Sequence, residues 1–396
     1  MKILFLCSLL PHPRADHASA FCEHKMIRCL SKKHDISLIS FVRSDEEQEL
    51  SRDMLEYCKR VETVRLPAGG FRKLWVRVNL LTLTPMSISN SRSSEMRNII
   101  RSMVRQEDFD IVQMEYPPMA QYISETGNSA KIIHLQDLIF VTAEKHAKHL
   151  RYSRKKVEWF IESIVSRWYE SRQYAKFDSI VSVSEKMKDV LLECNSSLNV
   201  SAIPPGVDIP AKRKLHRDEK GKNLIFMGAM WRRENIESIL YFYRNVFDLI
   251  RKAVPEVNLH IVGGSPSEEI KNLADDSSVK VTGYVENLSD YYLKCDVSVA
   301  PMRVAGGIMC KVLDAMAFGL PVVTTSQGNE GVGAEAGKEI FIEDNPEGFA
   351  NRTIELLQNG KLRKVVSDSA LDFIRRNFSW EHATNKLESL YRKCLL

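Results

Sequence analysis

Residues 305–333 read AGGIMCKVLDAMAFGLPVVTTSQGNEGVG. Gly306 and Gly307 precede a helix expected over 308–318, on which Lys311 and Asp314 stand one turn apart, and Phe318-Gly319 closes it. An apolar strand follows at 320–323, then a second glycine-rich loop at Gly328, Gly331 and Gly333. A helix start offers unpaired N–H groups and the positive end of the dipole, and glycines let a ligand approach the backbone. The segment therefore reads as a place for a phosphorylated molecule, gripped by the backbone of Gly306, Gly307, Ile308 and Met309. Lys311 would add a mobile positive charge, and Asp314 an acceptor for a hydroxyl such as that of a ribose. The plainer alternative is an ordinary βα unit with glycines at its caps.

The same alternation runs outward in both directions. Strand-length apolar runs fall at 2–8, 36–41, 61–66, 111–114, 131–135 and 179–183, and again at 223–227, 259–262, 280–282, 297–300, 321–324 and 340–342. Helical patterns lie between, among them 19–30, 45–59, 93–106, a long one within 140–176, 236–253, 268–274, 289–294 and 346–357. Alternation of this kind predicts parallel sheets with helices on both faces. At 396 residues the chain exceeds one core, so two domains are expected. The seam is Ile203-Pro204-Pro205-Gly206-Val207-Asp208, where prolines end a strand and a glycine permits a turn. The fold class is thus α/β, with two Rossmann-like domains, 1–203 and 204–377, and ligands expected at the strand C-termini in a cleft between them.

Composition narrows the function. Apolar content of 44% and charged content of 27% are those of a soluble globular chain, and no run is long enough to span a bilayer. Without an export signal, a cytoplasmic location is expected. Eight cysteines without a C-x-x-C pair read as reduced core residues rather than a disulfide or zinc framework. His146 and His149 are three apart on a helix but lack a carboxylate partner, so no metal site is expected. Net charge is +5, and the surplus lies wholly in residues 1–200, concentrated over 145–176. That is too mild for nucleic-acid binding, but would suit an anionic acceptor or the edge of an anionic membrane. The stretch 71–85, FRKLWVRVNLLTLTP, could also dip into a bilayer surface, although a buried helix explains it as well. The first strand leads into Pro-His-Pro rather than G-x-G-x-x-G, which disfavours an NAD-linked oxidoreductase.

Several stretches together resemble a known family. They are Phe226-Met227-Gly228 with Trp231 and Asn235, Val262-Gly263-Gly264, Gly283-Tyr284-Val285, DVSVAP at 296–301, the 306–319 helix with Pro321-Val322-Val323, Gly328-Asn329-Glu330-Gly331, and Phe378-Ser379-Trp380-Glu381. The second half is similar to the donor domain of retaining GT-B-fold glycosyltransferases that use nucleotide sugars. More loosely, FDSIVSVSE at 177–185 and IPPGVD at 203–208 extend the likeness into the first half. The sub-group that it most resembles is the bacterial sugar transferases of exopolysaccharide assembly. The resemblance implies a C-terminal helix, 378–396, crossing back onto the first domain. It also implies a nucleotide diphosphate sugar as donor, no further cofactor, and a glycan or lipid-linked acceptor at the inner face of the membrane. Gly228, Gly264 and Tyr284 would then line the donor site with the residues already named. Many members carry two glutamates separated by seven residues where this chain has Gly306 and Asp314, so one carboxylate is missing and the other shortened. Members often place a basic residue directly after the first glycine. Here Ala229 stands there, and the cationic role would pass to Arg232 or Arg233 with Lys311.

On the first domain, His134 and Asp137 stand at and beyond the end of the 131–135 strand, a position that in the family often touches the donor sugar; with Lys311 they are the catalytic candidates. Glu115 ends the 111–114 strand, and His12, Arg14 and His17 occupy the loop after the first strand; these are the acceptor-side candidates. The readings competing with transfer are a catalytically weak nucleotide-sugar-binding protein, because of Gly306, and a nucleotide-sugar epimerase on the same fold.

Overall fold

Short apolar runs become the strands of two sheets because each must be covered on both faces. The first contains β1 (Lys2–Cys7), β2 (Asp35–Val42), β3 (Arg60–Arg65), β4 (Ile111–Glu115), β5 (Ala130–Leu135), β6 (Ser179–Ser182) and β7 (Val200–Ala202), in the order β3-β2-β1-β4-β5-β6-β7. The second contains β8 (Asn223–Met227), β9 (Asn258–Val262), β10 (Val279–Val281), β11 (Val297–Ala300), β12 (Val322–Thr324) and β13 (Phe341–Ile342), in the order β10-β9-β8-β11-β12-β13. Every pairing is parallel, as with Ile3 opposite Ile36 on one side and Ile111 on the other. The computed structural model describes residues 1–14, 17–67, 83–149, 154–210, 222–303 and 308–396.

The chain divides into Met1–Pro205 with Ala383–Leu396, and Gly206–His382. Each unit has its own core. Leu4, Leu6, Ile39, Val112, Met114 and Ile133 anchor the first. In the second, Leu224, Phe226, Leu259, Ile261 and Val299 pack on one face of the sheet, and Ile225, Ala300, Val312 and Met316 on the other. Fully burying one such side chain stabilises by roughly 1.5–3 kcal/mol. The last helix, Trp380–Cys394, is started by Ser379, whose hydroxyl accepts the His382 amide at 3.1 Å. Its residues beyond His382 belong to the first unit, where Leu387, Leu390 and Tyr391 are buried, so the terminal segment does cross back.

Several elements differ from the expected ones. The 45–59 helix tightens after Leu50 into a 3₁₀ stretch, Ser51–Glu56. The 236–253 helix contains a π-turn, Tyr243–Phe247, between Arg233–Phe242 and Asp248–Ala253. The 140–176 stretch holds two helices, Ile139–His149 and Arg154–Tyr174. Most of 71–85 lies outside the described residues. All eight cysteines are free thiols.

The strand orders set the sites. In each sheet the chain winds outward in one direction and then the other, reversing between β1 and β4 in the first unit and between β8 and β11 in the second. Loops leaving neighbouring strands on opposite sides of that reversal part and open a crevice at the strand C-termini.

Candidate active site

In the second unit the reversal point is framed by the loop after β8 and by residues 301–303 after β11. The β8 loop is pinned to the end of β9: Gly228 N–H donates to Val262 O at 3.0 Å, and Met230 N–H to Gly264 O at 2.9 Å. A Cβ on Gly263 would lie 1.7 Å from the Gly228 carbonyl oxygen, so only glycine allows this approach. Tyr284 stands exposed on the neighbouring loop, its Cβ packed beside Gly264.

Lys311 corrects the sequence reading. Its side chain is held by internal contacts rather than extended toward solvent. It runs back to the β8 loop, where Nζ donates to Asn235 Oδ1 at 2.5 Å, lies 3.6 Å from Met302 Sδ and sits 4.6 Å from the centre of the Phe226 ring. Asn235 is oriented in turn by its Nδ2, which donates to Ala229 O at 2.9 Å. A Cβ on Gly228 would meet Asn235 Nδ2 at 2.7 Å and Lys311 Nζ at 3.1 Å, which explains the glycine there. Lys311 makes no ion pair among the described residues. Burial, and after it the charge of Arg232, lowers its pKa to about 8.

Asp314, one turn further on, is half-buried, and its pKa is raised to about 7 by burial and then by Asp208. Beside it the Tyr292 hydroxyl is fully buried without a hydrogen-bond partner among the described residues, its ring stacked on Phe318 at 4.7 Å. The helix itself starts at Cys310, two residues later than expected, with Met309 as its cap and Ile308 packed toward the apolar core. Gly306 and Gly307 lie outside the described residues. The adjacent arginines separate. Arg232 stacks on Trp231 at 5.2 Å and faces Lys311 electrostatically, whereas Arg233 is spent on a solvent-exposed pair with Glu237 at 2.6 Å.

In the first unit most candidates turn inward. His134 and Glu115 end β5 and β4 side by side, with His134 Nδ1 2.9 Å from Glu115 Oε2 and both side chains buried. Gln113 Nε2 donates to the other Glu115 oxygen at 2.5 Å, and the Tyr391 hydroxyl of the last helix donates to Gln113 Oε1. Glu115 is thus engaged by two side chains within the protein, and His134 is engaged through its Nδ1. His12 is likewise a loop-fixing residue: Nε2 meets Asp53 at 3.1 Å and Nδ1 accepts the Arg14 amide at 3.1 Å. Arg14 remains exposed beside Arg43 and Glu47 in a surface hollow.

His17 and Asp137 are open. His17 Nδ1 meets Ser19 Oγ at 2.5 Å, and its ring stands edge-on to Tyr116 at 6.3 Å. Asp137 is exposed on one side, yet the protein crowded around the other raises its carboxyl pKa, with His17 pulling it back down. Tyr116, near both, adopts a backbone conformation unusual for a bulky residue, φ 76°. Neither Tyr116 nor Tyr292 is marked in the sequence by spacing or composition; Asn235 is, by its place in the resemblance.

The chain does carry one Asp-x-Asp, Asp108 and Asp110, which the sequence reading passes over. It lies at the N-terminal end of the strands, opposite the crevice end, where Asp110 accepts the Lys2 amide at 2.8 Å. No group of three or more potential metal ligands occurs among the described residues.

Two parallel-sheet α/β units, one with a half-buried lysine and carboxylate near its reversal point, make a two-domain architecture of the GT-B type. Residues 221–359 match the family "Glycosyl transferases group 1" and residues 24–210 match "Glycosyltransferase Family 4". The chain belongs to the GT-B-fold glycosyltransferases. It is 24% identical over 391 residues to an uncharacterized 44.6 kDa protein in the cps region of Klebsiella pneumoniae, covering 95% of this chain and 96% of that one. Among solved structures it resembles sucrose-phosphate synthase of Thermosynechococcus elongatus, with TM-score 0.65, 15% identity and 99% of both chains covered. It also resembles Anabaena HepE in complex with UDP, with TM-score 0.64, 13% identity, and coverage of 99% of this chain and 100% of that one. At these identities the structural likeness is one of fold.

Proposed function

We propose that the protein transfers a hexose-type sugar from a nucleotide diphosphate sugar to a growing glycan, lipid-linked at the inner face of the membrane, in cell-surface polysaccharide assembly. The observation that carries this reading is Lys311, held under the β8 loop by Asn235 without a counter-ion among the described residues. A diphosphate leaving group gathers negative charge as the anomeric bond breaks, and a preset cation in a partly dry site stabilises that charge without reorganising. Arg232 adds to the field, and Asp314 can accept from, or when protonated donate to, a donor hydroxyl. The UDP held by the Anabaena structural neighbour and the cps-region description of the Klebsiella relative support the substrate class and the setting.

In the proposed step the acceptor oxygen bonds to the anomeric carbon as the carbon–phosphate-oxygen bond breaks. The acceptor proton passes to the departing phosphate oxygen, with retention of configuration and no protein base. Lys311 and Arg232 supply the positive charge that a metal ion would otherwise bring. His17 and Asp137, exposed, with the half-buried Tyr116 beside them form the polar group on the first unit that suits contact with sugar hydroxyls.

A thermal-shift screen of nucleoside diphosphates and their sugars, followed by donor consumption with and without acceptor glycans, tests the reading. One nucleotide should raise the melting temperature, since a ligand bound to the native state stabilises it by mass action. Acceptor should accelerate donor consumption, and the product's anomeric configuration, read by NMR, should match that of the donor. Binding without consumption would instead favour a nucleotide-sugar-binding protein.

A further inference from the structure

The Arg154–Tyr174 helix is inverted relative to a normal surface helix. Its buried face is largely polar: Glu162, Ser163, Ser166, Glu170 and Tyr174, with Val165. Those groups have internal uses. Glu162 accepts the Met86 amide at 2.9 Å, and Glu170 accepts the amides of Ile139 and Phe140 and the Tyr174 hydroxyl, so it caps the preceding helix. The outward face carries Val157, Phe160, Ile164 and Trp168, which are 44%, 58%, 56% and 42% exposed. At helical spacing these four fall within one narrow stripe. Core formation does not account for the stripe, because folding has placed the polar side inward. Scattered exposed apolar residues need no explanation, but a contiguous row does.

Charge indicates what covers it. Arg154 and Arg172 lie along one side of the stripe and Lys156 and Arg167 along the other, with Arg172 over the Trp168 ring at 4.9 Å. The acidic residues in the same region are neutralised locally. Glu162 and Glu170 are buried; Glu158 pairs with Arg154 and Glu144 with Arg167, so these two pairs carry no net charge and the positive surplus over 145–176 rests on the other lysines and arginines. Burial raises the pKa of both carboxyls to about 7, so each carries only part of a negative charge near neutral pH. Among the described residues no helix is long and apolar enough to cross a membrane, so this element can lie on a bilayer but not span it. An apolar row bordered by cations on both sides suits the headgroup–acyl boundary of an anionic leaflet, with Trp168 and the arginines at headgroup level.

We infer that the Val157–Phe160–Ile164–Trp168 face of this helix is the surface by which the protein docks on an anionic lipid bilayer. This deepens the membrane part of the proposed function by naming the surface, and it holds for binding whether or not any sugar is transferred.

The test is co-sedimentation of the full chain with vesicles of phosphatidylcholine alone or mixed with phosphatidylglycerol. The protein should favour the phosphatidylglycerol vesicles by about 10-fold at low salt, and the preference should shrink as ionic strength rises. The double substitution Phe160→Glu with Ile164→Glu should reduce vesicle binding at least ~10-fold, since two buried anchors become charged. Melting temperature and the nucleotide-induced thermal shift should stay at wild-type values, so failure of docking is read apart from failure of the donor site. Lipids brominated in the acyl chain should quench tryptophan fluorescence in the wild type, and less so in Trp168→Phe. Three outcomes overturn the inference: undiminished vesicle binding by the double variant, equal binding to both vesicle types, or a stripe substitution that alters only self-association in sedimentation velocity.

Discussion

The end of β4 and β5, one strand beyond the first unit's reversal point, and the reversal point of the second unit hold different kinds of chemistry. At the end of β4 and β5 the polar side chains satisfy one another: Tyr391 serves Gln113, Gln113 serves Glu115, and Glu115 serves His134, all within the protein. At the end of β8 and β11 the corresponding groups are left incomplete. Lys311 has an amide oxygen and a sulfur but no anion among the described residues, and the Tyr292 hydroxyl has no hydrogen-bond partner there. A closed network adds rigidity, because removing any member strands its partner in a low-dielectric interior. An open one costs stability while it waits, and recovers it when a ligand brings the missing charge. Under the proposed function the end of β4 and β5 is a scaffold, and the end of β8 and β11 a receptor.

That contrast can be broken in order of expected effect. Lys311→Ala should lower turnover by ~100-fold or more with the fold retained, as loss of one leaving-group contact does. A near-normal kcat would remove the receptor half of the comparison. Glu115→Leu should do the reverse, costing about 2–4 kcal/mol in urea unfolding because His134 and Gln113 lose a buried partner, while nucleotide affinity measured by titration stays unchanged. Gly228→Ala should weaken donor binding about 10-fold, since the added methyl displaces Asn235 and Lys311 together.

The pH response follows from the depressed lysine. Its charge is present below a pKa of about 8 and fades above it, so donor affinity should fall between pH 7 and 9. Folding stability moves the other way over part of that range. The unfolded chain keeps the lysine charged to a higher pH, so the penalty for burying that charge is relieved as pH rises through about 8. Asn235→Asp should shift the falling limb of the affinity profile to higher pH, the other charges facing Lys311 being Arg232, Glu234 and Cys310. The smallest effect belongs to Arg233→Ala. An exposed pair with Glu237 contributes little, and kcat/KM should stay within ~2-fold of wild type.

The sequence displayed its strands well, because a doubly covered parallel strand must be apolar along its whole length. LIFM of β8 and ILFL of β1 have no other reading. It was less open where polar groups do interior work. The Gly360–Asn377 helix escaped notice, partly because Arg363 interrupts its apolar face, yet that arginine is fully buried and donates to the Leu356 and Leu357 carbonyls that end the preceding helix. β7 is three half-buried residues at a sheet edge, too short to show periodicity. At the site, residue types could be seen but directions could not. Lys311 reads as a mobile cation until the β8 loop, more than 70 residues earlier, is laid beside it. His12, His134 and Glu115 look like ligand-facing polar residues at strand ends, and only their long-range partners show that they are already engaged.

The berth of Tyr391 has a practical outcome for anyone dissecting the molecule. A fragment ending at Pro205 would keep every strand of the first sheet but lose the plug that seals one of its faces. Gln113 would then open to water, and the apolar seats of Leu387 and Leu390 would stand bare. Such a piece should aggregate or refold poorly unless residues 383–396 are supplied, covalently or as a free peptide, to complete it.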